Sequence, residues 1–193
     1  MYLYGASGHA KVVIELLEAA GIKVAGLFDD NASLDHLWEY PVSRMPATVE
    51  APMIITIGNN TIRKKIADTY GVEYGKVAHP RAVISPRAHI HVGTVIMGGV
   101  TINADTIIGH HCIINTNASV DHDCVIGDFV HISPNVALCG GITVGEGTHI
   151  GAGAVVKPGV KIGKWVTVGA GTVVLKDIPD GKTVVGNPGK IIK

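Results

Sequence analysis

From Ile84 to Val174 an aliphatic residue returns at every sixth place without a break: Ile84, Ile90, Ile96, Ile102, Ile108, Ile114, Val120, Ile126, Ile132, Leu138, Val144, Ile150, Val156, Ile162, Val168 and Val174. Four places beyond each stands a small or β-branched residue, as in Ala118, Cys124, Val130, Val136, Ile142, Thr148 and Ala154. A period of six matches neither the 3.6 of a helix nor the two of a strand, and a sustained repeat overrides local propensity. Hexads of this kind build a parallel β-helix, with short flat strands separated by corners. Three faces per turn make the coil eighteen residues long, so the run supplies about five coils. Glycine follows many of the aliphatic residues (Gly109, Gly127, Gly145, Gly151, Gly163, Gly169), which predicts backbone geometry that other residues resist.

The segment before the repeat has another grammar. Met1 to Tyr4 reads as a strand, Gly5-Ala6-Ser7-Gly8-His9 as a loop, and Val12, Val13, Leu16, Leu17 and Ala20 as one face of a helix stopped by Gly21. Val24 to Phe28 reads as a second strand running into Asp29-Asp30, residues 31–50 as an irregular region with Pro41 and Pro46, and Met53 to Ile57 as a third strand. Gly58-Asn59-Asn60 then precedes a basic helix from Thr61 to Tyr70. A strand, Gly-rich loop, helix and strand with an acidic pair about twenty residues on is the pattern of a Rossmann-like, nucleotide-binding βαβ domain. The loop lacks the third glycine of the dinucleotide fingerprint, and by itself serves equally well as a tight turn. Its case grows because Gly5–His9, Asp29-Asp30 and Gly58-Asn60 fall on one edge, beyond the carboxyl ends of parallel strands, where ligands bind. Arg63, Lys64 and Lys65 read as a solvated helix face for two of the three. The domains expected are 1–75, an α/β Rossmann-like unit, and 76–193, an all-β parallel β-helix, with Lys176 to Lys193 as a cap.

Bulk properties narrow the function. Sixteen basic and sixteen acidic residues cancel, which argues against a nucleic-acid footprint or a polybasic membrane surface. No apolar run is long enough for a bilayer span and no basic n-region opens the chain, so a cytoplasmic protein is expected. The three cysteines point the same way: Cys112 and Cys124 fall on the inward column as buried thiols rather than disulfide partners or metal ligands. Cys139 falls on an outward place, where an acyl-cysteine stays open.

A strict period assigns every polar side chain to a column. With the aliphatic residue as the first of six, the first and fifth places point inward. His122 is a third place at a corner, stacked between Ala104 and Gly140, so a ring with small neighbours lies in a recess. Asp123 follows it, with Asp105 and Gly141 in its column; His131 shares the next face with Ile113 and His149. Most of the seven histidines in the repeat read as solvated or packing residues. His110, His111 and His122 do not converge as zinc requires, and no metal site is expected. Outward Val95, Ile107, Ile113, Val125, Val155, Phe129 and Trp165 expose more apolar surface than a monomer carries, and a triangular prism suits three-fold association.

With these residues placed, the hexads and the terminal Val185-Gly186-Asn187-Pro188-Gly189-Lys190 resemble the left-handed β-helix acyltransferases that use acetyl-CoA. Tyr4-Gly5-Ala6-Ser7-Gly8-His9, Ile57-Gly58-Asn59-Asn60 and Ser119 to Gly127 narrow the resemblance. They are similar to the bacterial acetyltransferases of bacillosamine-type and perosamine-type sugars, with their sialic acid O-acetyltransferase relatives. The resemblance covers essentially the whole chain. It implies a homotrimer, a nucleotide sugar held by the N-terminal domain, and acetyl-CoA along the groove between β-helices. By that resemblance His122 is the general base, and Asp123, where the bacillosamine branch often has Glu, orients or charges it. His131, Gly140, Gly141, Ala152 and Ala170 match acetyl-CoA contacts; Gly5, Ser7, Gly8, His9, Asp29, Asp30, Gly58 and Asn59 match the nucleotide pocket. The reaction implied is direct N-acetylation of a UDP-4-amino-4,6-dideoxy sugar, with GDP-perosamine N-acetylation or sialic-acid-type O-acetylation as alternatives. A non-catalytic nucleotide-sugar sensor is the rival outside enzymes.

Overall fold

The computed structural model describes residues 1–193. Its N-terminal part is a five-stranded sheet flanked by two helices: β1 (Tyr2–Tyr4), α1 (Gly8–Ala19), β2 (Gly26–Phe28), β3 (His36–Leu37), β4 (Tyr40–Ser43), β5 (Met53–Ile55) and α2 (Asn60–Thr69). The strand order is β3-β4-β2-β1-β5. Strands β1, β2, β4 and β5 run parallel, and β3 folds back antiparallel on β4. Residues 31–50 are therefore not wholly irregular: the turn at Trp38-Glu39 closes a hairpin, and β4 extends the sheet. The short, polar-flanked strands gave no clear alternation to betray it. Leu3, Leu27 and Ile54, fully buried, meet Val13, Ile14 and Leu17 of α1 in the core.

From Val77 the chain winds into a parallel β-helix of two-residue strands, each pairing in register with the strand eighteen residues on, as in Val83↔Thr101↔Ser119↔Ala137. Three sheets result. We call them the docked face (Val77, Val95, Ile113, His131, His149 and Thr167 at its outward places), the second face, beginning at Val83–Ile84, and the third face, beginning at His89–Ile90. The first and fifth places are buried from Ile96 onward, each aliphatic side chain contributing roughly 1.5–3 kcal/mol. Three inward threonines satisfy their hydroxyls on the next coil, Thr94 donating to the Gly109 carbonyl, Thr106 to that of Asp121 and Thr148 to that of Gly163.

The corners divide two jobs between two hexad places. At the fourth place, from Gly93 to Gly171, φ lies between +54° and +78° at every hexad, whether the residue is Gly, Asn, Asp, His, Phe or Trp. The glycines expected to supply this geometry sit at the second place instead, without positive φ. They are small because coils approach closely: a Cβ on Gly145 would lie 2.6 Å from the carbonyl carbon of Gly163 and the amide of Lys164.

The N-terminal domain lies on the docked face. Consequently Val95 and Ile113 are 1% exposed and Phe129 6%, so three of the outward apolar residues expected to mark subunit contacts are covered within the chain. Ile107, Val125, Val155 and Trp165 remain exposed.

Gly145→Ala should lower unfolding free energy by about 2 kcal/mol through overpacking against backbone. Gly159→Ala, with open space but φ +73°, should cost about 1 kcal/mol of left-handed strain. Denaturant unfolding of both variants reads the difference, and equal costs would contradict the division of jobs.

Candidate active site

His122 sits at the vertex between the second and third faces, between the strands Ser119–Val120 and Val125–Ile126. Its ring lies over Gly140, where a Cβ would come 2.6 Å from His122 Cε1. Position 140 thus has room for the imidazole only as glycine. Left-handed backbone at Asp123, φ +59°, folds the carboxylate back so that Oδ2 reaches His122 Nδ1 at 2.7 Å. The shorter aspartate closes this hydrogen bond without a longer side chain. Asp121, which the sequence reading did not single out, accepts from the His122 amide at 2.8 Å and from Asn103 Nδ2 at 2.7 Å. Asp123 first, then the charge of Asp121, raises the imidazole's pKa above its ordinary 6.5, against a small opposing desolvation. The side chain is 60% exposed, so Nε2 faces outward and free.

A second constellation occupies the docked face. Gly58, Asn59, Asn60 and Thr61 at the start of α2 form one wall of a cleft of about 660 Å³; His131, His149 and Trp165 line the other. Asn59 caps α2, its Oδ1 accepting from the Ile62 amide at 3.0 Å. His131 and His149 stack with ring centroids 4.8 Å apart. Asn115 Oδ1 takes the Thr116 amide at 2.8 Å, so its Nδ2 faces His131 Nε2 at 3.2 Å. Read through this network, Nε2 accepts and the His131 proton is on Nδ1. His149 Nε2 meets Ser133 Oγ at 2.9 Å. Burial, then His149, Arg63 and His9, push His131 down to about 3; burial and Arg63 depress His9 to about 4.

The Gly5–His9 loop adjoins this region. Gly5 has φ +109°, and a Cβ there would meet the side chain and backbone of Thr56-Ile57. Ser7 is the N-cap of α1 with its hydroxyl uncommitted, and Gly8 opens the helix beside empty space. His9 Nε2 is buried without a partner. Asp29 has both oxygens engaged, by the amides of Ala6 and Asn31 at 2.8 Å each, so it braces the loop; Asp30 is exposed, 3.6 Å from Arg44.

The chain does not bring all candidate residues together. His122, Asp123, Gly140 and Gly141 share the vertex opposite the docked face. Gly58, Asn59 and His131 lie on the docked face, while Ala152 and Ala170 occupy the vertex between the docked and second faces. Sequence columns located each vertex, but the partners on α2 were not legible: Asn60 reads as part of the ligand-edge loop, and nothing singles out Arg63 from Lys64 and Lys65. No group of three or more His, Cys, Asp or Glu converges as a metal site.

A sheet-plus-helix domain, a β-helix of hexads and a vertex imidazole paired to a carboxylate define a hexapeptide-repeat acyltransferase. Family models agree: the PglD N-terminal domain matches residues 1–70, and the bacterial transferase hexapeptide (six repeats) matches residues 141–176. Perosamine N-acetyltransferase from Caulobacter crescentus, solved with CoA and GDP-perosamine, is 40% identical over 100% of this chain and 96% of its own, with a TM-score of 0.94. The acetyltransferase domain of PglB from Neisseria gonorrhoeae, solved with acetyl coenzyme A, is 36% identical over 99% and 98%, with a TM-score of 0.93. UDP-N-acetylbacillosamine N-acetyltransferase of Bacillus subtilis is 40% identical over 107 residues, 49% of this chain and 50% of that protein. An uncharacterized protein of Acanthamoeba polyphaga mimivirus is 35% identical over 119 residues. The chain spans half or less of the length of these two curated relatives, 50% and 24%. The chain belongs to the hexapeptide-repeat sugar N-acetyltransferase family.

Three buried or half-buried imidazoles, of His9, His111 and His131, have lowered pKa values, the first two about 4 and the third about 3. Unfolding frees them to protonate near 6.5, so the unfolded state binds more protons below that pH. Stability should therefore be full above pH 6.5 and fall as pH drops toward 4. A guanidinium midpoint at pH 5 equal to that at pH 7 would contradict this.

Proposed function

We propose that this chain transfers the acetyl group of acetyl-CoA to the amine of a nucleotide-linked amino sugar, with His122 as general base. The observation that carries the reading is the free Nε2 of an imidazole whose Nδ1 is held by Asp123 at 2.7 Å, over the bare Gly140. Acetyl-CoA supplies an activated thioester carbonyl. Neutral His122 takes the proton from the sugar amine at Nε2 as that nitrogen attacks, and Asp123 stabilises the imidazolium that forms. Ser7, the uncommitted amides of the first turn of α1, and the Gly5–Gly8 backbone suit the phosphates of the nucleotide. The full-length likeness to the perosamine enzyme supports a GDP-linked acceptor above the UDP-linked sugar expected from sequence. The partial match to the bacillosamine enzyme keeps the latter as the second reading.

The separation of the two constellations supports a trimer. The vertex of His122, Gly140 and Gly141 and the docked face of His131, Gly58 and Asn59 lie on opposite sides of one prism, so a groove holding both needs two copies. Exposed Ile107, Val125 and Val155 supply the apolar contact, and Ala152 and Ala170 extend the groove wall. Free Cys112, Cys124 and Cys139, together with the acetyl-CoA requirement, support a reducing, cytoplasmic setting.

His122→Ala should cut turnover about 10²–10⁴-fold with the fold retained; near-normal CoA release would sink the base assignment. Activity should decline on the acid side as His122 protonates above pH 6.5, and Asp123→Asn should move that limb to lower pH. An unmoved limb would remove Asp123 from the mechanism. Free-thiol assays across GDP-perosamine, a UDP-4-amino sugar and sialic acid should rank GDP-perosamine first; turnover of the hydroxyl acceptor alone would overturn N-acetylation.

Subunit mixing tests the composite site. Co-refolded His122→Ala and Asn59→Ala chains, each impaired alone at subsaturating substrate, should regain part of the activity, since some grooves pair two intact walls. Persistent inactivity in verified mixed oligomers would show that one chain holds the whole site.

A further inference from the structure

Arg63 is 1% exposed, the largest side chain buried this completely, and it has no carboxylate partner. All five N–H donors of a guanidinium radiate in one plane, and here they go to neutral oxygens. Nε donates to the His111 carbonyl at 2.8 Å, and Nη2 to the Phe129 carbonyl and to Asn60 Oδ1, both at 2.8 Å. Nη1 donates to the carbonyls of Ile57 at 2.9 Å and Gly58 at 3.2 Å. One turn earlier on the same side of α2, Asn60 Nδ2 donates to the Gly147 carbonyl at 3.0 Å. Residues 111, 129 and 147 are the left-handed corner places of three successive coils. Two residues of α2 therefore take up the corner carbonyls of three coils, while Arg63 also grips the loop that leads into the cleft.

A buried cation without a counter-ion is expensive, and a fold that only needed a domain contact could use an apolar residue. We propose that Arg63 is a positioning residue of the acetyl-transfer site, fixing the Ile57–Asn60 loop against the β-helix so that Gly58 and Asn59 face His131 and His149 across the cleft. It rests on the acetyltransferase reading for its kinetic consequence only. Gly58, whose carbonyl Arg63 grips, lines the same cleft as the His131 ring. The ionisable groups around that ring are His149 from the next coil, His9 from α1 and Arg63 from α2, and none is acidic. The loop that Arg63 seats thus closes the cleft wall opposite the uncharged His131.

Arg63→Lys and Arg63→Met test this in the full-length chain. A lysine keeps the charge but cannot reach four carbonyls at once. In folded variants, KM for nucleotide sugar and acetyl-CoA should rise about tenfold or more, as expected from loss of charge-assisted hydrogen bonds. kcat should change less than KM, because Arg63 holds the binding loop and makes no contact with the His122 imidazole. KM values within twofold of the parent, or a fall in kcat at unchanged KM, would overturn the proposal. A second measurement needs no activity: ¹⁵N spectra of the parent, with His131 assigned by comparison with folded His131→Gln. They should show an uncharged ring at pH 6 carrying its proton on Nδ1. A charged ring or a proton on Nε2 would overturn the linkage between Arg63, Gly58 and His131, whatever reaction the protein catalyses.

Discussion

Closure of an eighteen-residue coil is the constraint on which the molecule depends. Each strand is only two residues long, so neither side-chain propensity nor its own hydrogen bonds can hold it. It persists because the strands one coil before and one coil after pair with it in register. That register survives only if every corner uses the same backbone conformation. The left-handed fourth place supplies it from Gly93 to Gly171, tolerated even by Phe129 and Trp165. Close approach of coils then demands glycine at several second places. A rigid prism follows, and rigidity is what lets a ring at one vertex be held over a bare glycine with little freedom to move.

Chemistry enters where the repeat is broken on its outer side. Gly140 leaves space that His122 fills, and the left-handed turn at Asp123 brings a carboxylate onto the imidazole. On the docked face the same corner geometry leaves carbonyls that α2 collects through Asn60 and Arg63. Two electrostatic settings result on one scaffold. Exposed His122, flanked by Asp121 and Asp123, is pulled toward the charged form; enclosed His131, flanked by His9, His149 and Arg63, is kept neutral. The proposed acyl transfer uses that separation: His122 is poised to take a proton, and His131 stays uncharged beside the docked loop.

Local reading failed where partners came from far away in sequence. Residues 31–50 lacked alternation, yet β4 is recruited by the open edge of β2. Val95, Ile113 and Phe129 belong to outward columns, and nothing within the repeat marks them as covered by the N-terminal domain. Arg63 stands beside Lys64 and Lys65 in a helix with few apolar residues, so its burial was invisible until the β-helix carbonyls were placed opposite it. Asp29 and Asp30, adjacent and alike in sequence, part company because only Asp29 lies under the Ala6 amide.

The sequence by itself determined the β-helix, its coil length, the inward columns and the stacking of His122 over Gly140, because a strict period carries its own geometry from residue to residue. It also marked the polar loops of the N-terminal domain as sharing one sheet edge. Only the tertiary structure decided which face that domain covers, and therefore which apolar residues stay exposed and which histidines are enclosed. It alone separated His122 at one vertex from the cleft on the opposite face. Docking of two folded units depends on contacts between residues dozens of places apart, such as Arg63 and Phe129, and no local pattern encodes them.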